Sequence, residues 1–184
     1  MKALYIIFLL IILTSCMPKE THILKSYDLS IYDNSKIKKI NKIIKIKYPN
    51  SLGAIGGSKI YYKKDNITSY YLYSRWINSL NMLVYKDILS YLNNNSKYQV
   101  VGYDSFANYD KKIEVNIIDF YHIIDGDNSY ALVTIDVNIL SNNNRLIKKR
   151  EFSYKINCDK NAKSFVTSAK KALLGFLEEL KEEL

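Results

Sequence analysis

The segment SYYLYSRWINSLNMLVYKDILSYL, Ser69 to Leu92, changes period partway along, and that change decides the fold. Up to Tyr73 it is rich in tyrosine, with the short alternation of a strand. From Arg75 onward apolar residues fall at Trp76, Ile77, Leu80, Leu83, Val84, Ile88, Tyr91 and Leu92. That spacing predicts an amphipathic helix with one wide apolar stripe. Ser74 is placed to cap its start, and the Asn-rich run NNNSK ends it.

Working outward, both flanks are mostly strands. YDLSIYD (Tyr27 to Asp33) has strand character. KIIKIKYP puts Ile44 and Ile46 on one face and Lys45 and Lys47 on the other, and stops at Pro49. NSLGAIGGS reads as a loop by its glycines. KIYYKK and ITSYYLY form two short strands joined by KDN, and YQVVGYD follows the helix as another. KIEVNIIDFYHII and SYALVTIDVNILS flank the turn DGDN, a hairpin signal. In the second of these, Ala131, Val133, Ile135, Val137 and Ile139 share one face, while Thr134, Asp136 and Asn138 share the other. Phe152, Tyr154 and Ile156 alternate inward in LIKKREFSYKI. From about Asn161, Phe165, Val166, Ala169, Ala172, Leu173, Phe176, Leu177 and Leu180 line one face of a last helix. Cleanly alternating strands have one wet face, and two amphipathic helices can cover the other. The expected fold is an α+β two-layer domain, a mostly antiparallel sheet covered on one face by two helices.

The N-terminus carries a different signal. MKALYIIFLLIILTSC opens on Lys2 and runs apolar from Ala3 to Leu13, too short for a spanning helix of about 20 residues. Its order is that of a secretory signal. The run ends in Leu13, Thr14, Ser15 and Cys16, which resembles the bacterial lipobox. That resemblance implies a diacylglyceryl group on the Cys16 thiol and cleavage before Cys16; two or three acyl chains in all make a stable anchor. The expected organisation is a signal peptide over 1–15, a lipidated cysteine and tether over 16–25, and a single domain over 26–184. Met17 follows the cysteine where an aspartate often retains enterobacterial lipoproteins in the inner membrane. The expected location is therefore the outer membrane, facing the periplasm.

The formal charge is +9. A basic chain can meet nucleic acid or an anionic membrane surface. Its richness in Lys, Asn, Ile and Tyr reads as the codon bias of an AT-rich genome, and a periplasmic location argues against nucleic acid. The cluster KIKKINKIIKIK holds Lys36, Lys38, Lys39, Lys42, Lys45 and Lys47. It reads either as a solvated strand face or as a contact with anionic headgroups through Lys42, Lys45 and Lys47. Cys16 and Cys158 are the only cysteines, so lipidation of the first leaves the second without a disulfide partner.

Motifs of chemistry are sparse. The histidines are His22, in the tether, and His122, in a strand, and neither H-E-x-x-H nor C-x-x-C occurs. GAIGGSK lacks the spacing of a phosphate loop. Asp119 and His122 share a strand region with no nucleophile placed beside them. The expectation is a protein with no metal or cofactor and no enzymatic activity. The pair Arg75–Trp76 could belong to an active site, a base-stacking platform or the architecture. The architectural reading has Trp76 packing the helix start against the sheet and Arg75 bonding nearby carbonyls or a partner surface.

The order of these features resembles the PqiC-like auxiliary lipoproteins of ABC-type transport systems. The resemblance rests on Cys16, a short tether, Tyr27-Asp-Leu29, a strand over Ile46 to Pro49, Ile60-Tyr-Tyr62, and Tyr71 to Trp76 leading into the first helix. A strand like IEVNIIDF, a hairpin, a strand like REFSY and an Ala-rich last helix complete it; a Gly-rich loop at 53–57 replaces the family's Pro-rich one. It implies a non-enzymatic partner of an MCE-domain protein and of ABC permease and ATPase subunits, which supply the energy. Such a partner helps move phospholipid or other apolar molecules between membranes, by docking or by holding lipid itself, as a single chain or a homo-oligomer. The alternative is an assembly or structural lipoprotein of an outer-membrane complex, such as that of lipopolysaccharide export, whose family lacks the Arg-Trp helix entry.

Overall fold

The computed structural model describes residues 22–31 and 37–184. Among them nine strands form one sheet. Their order is β1 (Lys25–Tyr27), β2 (Ile43–Ile46), β3 (Asn50–Ser51), β4 (Lys59–Lys64), β5 (Ile67–Trp76), α1 (Leu80–Asn95), β6 (Gln99–Val101), β7 (Lys111–Asp125), β8 (Asn128–Ser141), β9 (Leu146–Asn157) and α2 (Ala162–Glu182). A single 3-10 turn, Gly53–Gly56, buries Ile55 within the glycine-rich loop.

Strand β7 is the axis. On one side it pairs antiparallel with β8, from Lys111 opposite Ser141 to Asp125 opposite Asn128, and β9 continues the sheet beyond β8. The turn joining β7 to β8 has Gly126 at φ +54°, a backbone conformation that favours glycine. The other edge of β7 is shared in succession by β2, β3 and β4, all parallel to it. The sheet therefore forks. One branch adds β6 to β2; the other adds β5 to β4 and then β1 to β5. The long ladders β7–β8, β8–β9 and β4–β5 are antiparallel and the short ones parallel, which makes a mixed sheet in a two-layer α+β domain.

The alternation along β7 contains one shift. Ile113, Val115 and Ile117 face the core, then the register slips between Ile117 and Asp119. The extra residue turns Asp119 away and brings Phe120 and His122 to the core side. Helix α2 lies over β7, β8 and β9 and packs against α1. Its buried stripe from Phe165 to Leu180 is the one expected from its spacing. Its start is capped by Asn161, whose Oδ1 accepts from Ser164 N at 2.9 Å.

The first helix begins later than its spacing predicts. Strand β5 runs to Trp76, so Ser74 is a strand residue and no cap. Ser79 is the cap, its Oγ accepting from Met82 N at 3.3 Å. The reason is a distant partner: β1 pairs with Ser74, Arg75 and Trp76, and Ile77 N donates to Tyr27 O at 2.8 Å. Those ladder bonds hold the segment extended, and Ile77 is left 58% exposed. The strand expected over Tyr27–Asp33 ends at Tyr27, although Leu29 is fully buried. Residues 32 and 33 lie outside the described residues. Thr134, expected on the wet face, is buried with its hydroxyl 3.2 Å from that of Ser153.

Candidate functional site

The features that sequence alone kept apart come together where β5 meets the C-terminal half of β7. Tyr70 pairs with Tyr61, yet the next pair along the ladder is Arg75 with Lys59. Ile60 alone therefore faces the four residues Tyr71 to Ser74, and the surplus chain must arch out of the sheet. The arch exposes Leu72 and Tyr73 and turns Tyr71 inward.

The Tyr71 hydroxyl lies 2.6 Å from His122 Nδ1. His122 Nε2 lies 2.7 Å from Ser129 Oγ, and that oxygen lies 4.0 Å from Cys158 Sγ. Phe165, from the first turn of α2, stacks on the imidazole at 5.4 Å with planes 10° apart. Trp76 meets Phe120 edge-on at 5.8 Å and Phe165 at 6.2 Å. His122 has no exposed surface.

Burial lowers the pKa of His122 to about 4, so the ring is neutral at pH 7. Burial, with smaller contributions from Cys158 and Tyr62, pushes Tyr71 up to about 12 and keeps its proton on. A phenol is a better donor than an imidazole N–H. We therefore assign Tyr71 O–H as donor to Nδ1, leaving Nε2–H to donate to Ser129 Oγ. In that tautomer the ring offers the serine no base. Burial also raises the Cys158 thiol, which disfavours the reactive thiolate. The chain of groups ties β5, β7, the start of β8 and the end of β9 together, and it is built for positioning.

Above it lies an open cleft of about 340 Å³ between β1, the β5 arch and the start of α2. Lys25, Tyr27, Tyr71, Leu72 and Lys163 are among its walls. A second open hollow of about 460 Å³ lies across Lys160, lined by Asp127, Ser129, Cys158 and Asp159. Among the described residues no three His, Cys, Asp or Glu side chains gather to hold a metal.

The sequence-derived candidates are scattered. Leu13, Thr14, Ser15 and Cys16 lie outside the described residues. Trp76 is 2% exposed and sits in the aromatic cluster over His122, at the end of a strand. Arg75 is exposed, and its Nε donates to Ser26 Oγ at 3.4 Å. Lys42 is exposed. Lys45 Nζ donates to Ser105 O at 2.8 Å, and Lys47 pairs with Glu114 at 3.4 Å. The three lysines accompany the start of β7, where Lys45 is opposite Lys112, whereas Tyr62 is opposite His122. Nine paired positions at about 3.3 Å each, the bulge residue excluded, put roughly 30 Å between those two levels.

Asp119 and His122 share one strand, β7, as expected. They point to opposite sides of it, for Asp119 faces away from the core and lies 3.7 Å from Lys63 Nζ. The structure also brings Ser129 and Cys158 to the histidine, neighbours not expected from the sequence. The available signal was the break in alternation at Ile118–Asp119, which marks a bulge without naming the residues it aligns.

No family model matches the sequence, and no curated protein matches it. Among solved structures, protein XCC0632 from Xanthomonas campestris, of DUF330, superposes with a TM-score of 0.67 at 12% identity. The match covers 79% of this chain and 88% of that one. The crystal structure of an uncharacterized protein gives a TM-score of 0.66 at 13% identity, over 88% of this chain and 98% of that one. The forked sheet with its two helices is thus a fold this chain shares with a DUF330 protein.

Proposed function

We propose that this protein is a lipid-anchored periplasmic auxiliary component of an MCE- or Mla-like ABC transport system. It is held at the outer membrane by acyl chains on Cys16 and acts by docking or binding, without catalysis. The observation that carries the reading is the order of parts. A lipobox-like Leu13-Thr14-Ser15-Cys16 is followed by a short tether, then β1, and β1 pairs with the Tyr71-to-Trp76 segment that resembles the PqiC-like family. The shared DUF330 fold supports it at the level of architecture. The non-catalytic part is supported by the burial of His122, which has no exposed surface to meet a substrate, and by the partial burial of Cys158, which raises its thiol away from the reactive thiolate. Energy for transport then comes from the permease and ATPase subunits.

The test is a pull-down of the tagged protein from detergent-solubilised membranes, with proteins and extracted lipids identified by mass spectrometry. Recovery of an MCE-domain protein with its permease is expected, and co-eluting phospholipid favours carriage over docking. Recovery of an outer-membrane barrel or envelope-assembly proteins, without transporter subunits, replaces the reading with that of an assembly lipoprotein.

A further inference from the structure

We propose that the end of the domain where the tether enters, formed by Ile23, Leu24, Leu72 and Tyr73, rests on the surface of an anionic phospholipid bilayer. The proposal builds on lipid attachment at Cys16.

Four neighbouring apolar side chains face water here, Ile23 at 79% exposure and Leu72 at 69% among them. They are neighbours because β1 pairs with β5 and because the ring of His22 stacks on Tyr73 at 4.2 Å. An exposed apolar patch of this kind marks an interaction surface. Cations stand behind it. Lys25 and Lys163 line the adjacent cleft, and among the described residues no carboxylate lies within ion-pair distance of either; Lys160 shares Asp127 at 3.7 Å. Apolar side chains at the boundary with lysines behind them suit acyl chains topped by anionic phosphate.

Chain length selects the bilayer as the occupant. Six residue steps separate Cys16 from His22. Fully extended they reach about 20 Å, so acyl chains on Cys16 hold this end of the domain close to the headgroups. The lysines of β2 lie roughly 23 Å away along the sheet, because Leu72 and Tyr73 face Ile60, level with Phe120 of β7, and Lys45 is opposite Lys112, about seven paired positions off. Another exposed apolar pair, Leu146 and Ile147, also lies at that far end, for Leu146 is opposite Leu140.

The test uses the mature acylated protein in vesicles of three parts phosphatidylcholine to one part phosphatidylglycerol, with part of the phosphatidylcholine brominated in its acyl chains. Tryptophan reporters are Leu72→Trp, at an exposed position, and Lys45→Trp, at a half-buried one toward the far end of the sheet, over the constant baseline of buried Trp76. The expected result is loss of emission and a blue shift for Leu72→Trp, with Lys45→Trp matching the wild type. An unquenched Leu72→Trp, or quenching of Lys45→Trp instead, overturns the proposal. In pure phosphatidylcholine vesicles quenching should weaken, and undiminished quenching overturns the role of the lysines. Mass spectrometry of the purified protein separates the two levels of failure. A Cys16 without acyl chains defeats the lipoprotein reading, whereas an acylated protein with unquenched Leu72→Trp defeats this surface alone.

Discussion

His122 on β7 and Asp87 on α1 are both buried and both titratable, yet the fold treats them in opposite ways. His122 has a partner for each nitrogen, Tyr71 and Ser129. Asp87 is 4% exposed; its Oδ1 accepts from Ile31 N at 3.1 Å, and its Oδ2 has no hydrogen-bond partner among the described residues. Burial, reinforced by Asp28, raises the Asp87 carboxyl to about 6 against the opposing pull of the Ile31 bond and of Lys170 and Lys86. Burial alone lowers His122 to about 4. Desolvation thus drives both groups toward the neutral form, and only the histidine region is built to accept that form with every polar atom paired.

The two regions should therefore respond to pH in opposite senses. Below the ordinary histidine value of 6.5 the unfolded chain takes up a proton that folded His122 refuses until about pH 4, so stability falls on acidification across that window. Folded Asp87 takes its proton near pH 6, before the unfolded carboxyl does near 3.8, so stability rises on acidification there. Each contribution is on the order of 3 kcal/mol at its limit, and between about pH 4 and 6 they largely cancel.

The comparison breaks most severely at Trp76. Trp76→Ala removes the ring that closes the aromatic cluster and should cost about 3–5 kcal/mol by denaturant unfolding. In the surviving folded fraction, the His122 ring resonances should titrate closer to pH 6.5 than in the wild type; an unmoved midpoint would show that Trp76 does not shield the histidine. His122→Phe should cost about 2 kcal/mol at pH 7, because Tyr71 and Ser129 lose their partner. That deficit should shrink below pH 6.5 as the wild type loses its advantage, and a deficit constant with pH would contradict the assigned burial. Asp87→Asn should stabilise the fold by about 1–3 kcal/mol at pH 7 and by almost nothing at pH 4, since the amide oxygen can still accept from Ile31 N. Thermal melts of wild type and variant at the two pH values check this. The smallest effect separates two serines of the opening segment. Ser79→Ala should cost about 1 kcal/mol through loss of the helix cap, and Ser74→Ala a few tenths, with the reverse order placing the helix start back at Ser74.

These tests follow the line between what is local and what is not. The α2 stripe from Phe165 to Leu180, the core face of β8 at Val133, Ile135 and Val137, and the β7–β8 turn at Gly126 were all legible in the sequence. Each is a period or a turn chemistry that repeats within a few residues, and burial of one face is enough to enforce it. The two-layer α+β architecture follows from those elements alone. The end of β5, the slip in β7 and the Tyr71–His122–Ser129 chain were not legible. Trp76 has helical spacing with Leu80 and Leu83, but its N–H donates to Ser58 O at 2.8 Å, and the next residue, Ile77, donates to a strand fifty residues upstream; such ladder bonds outweigh local preference. Tyr71 reaches His122 across 51 residues, and it does so only because Ile60 faces four residues of the arch. A register is a relation between two segments that neither carries by itself, so which side chains meet at the candidate site was decided only when the sheet closed.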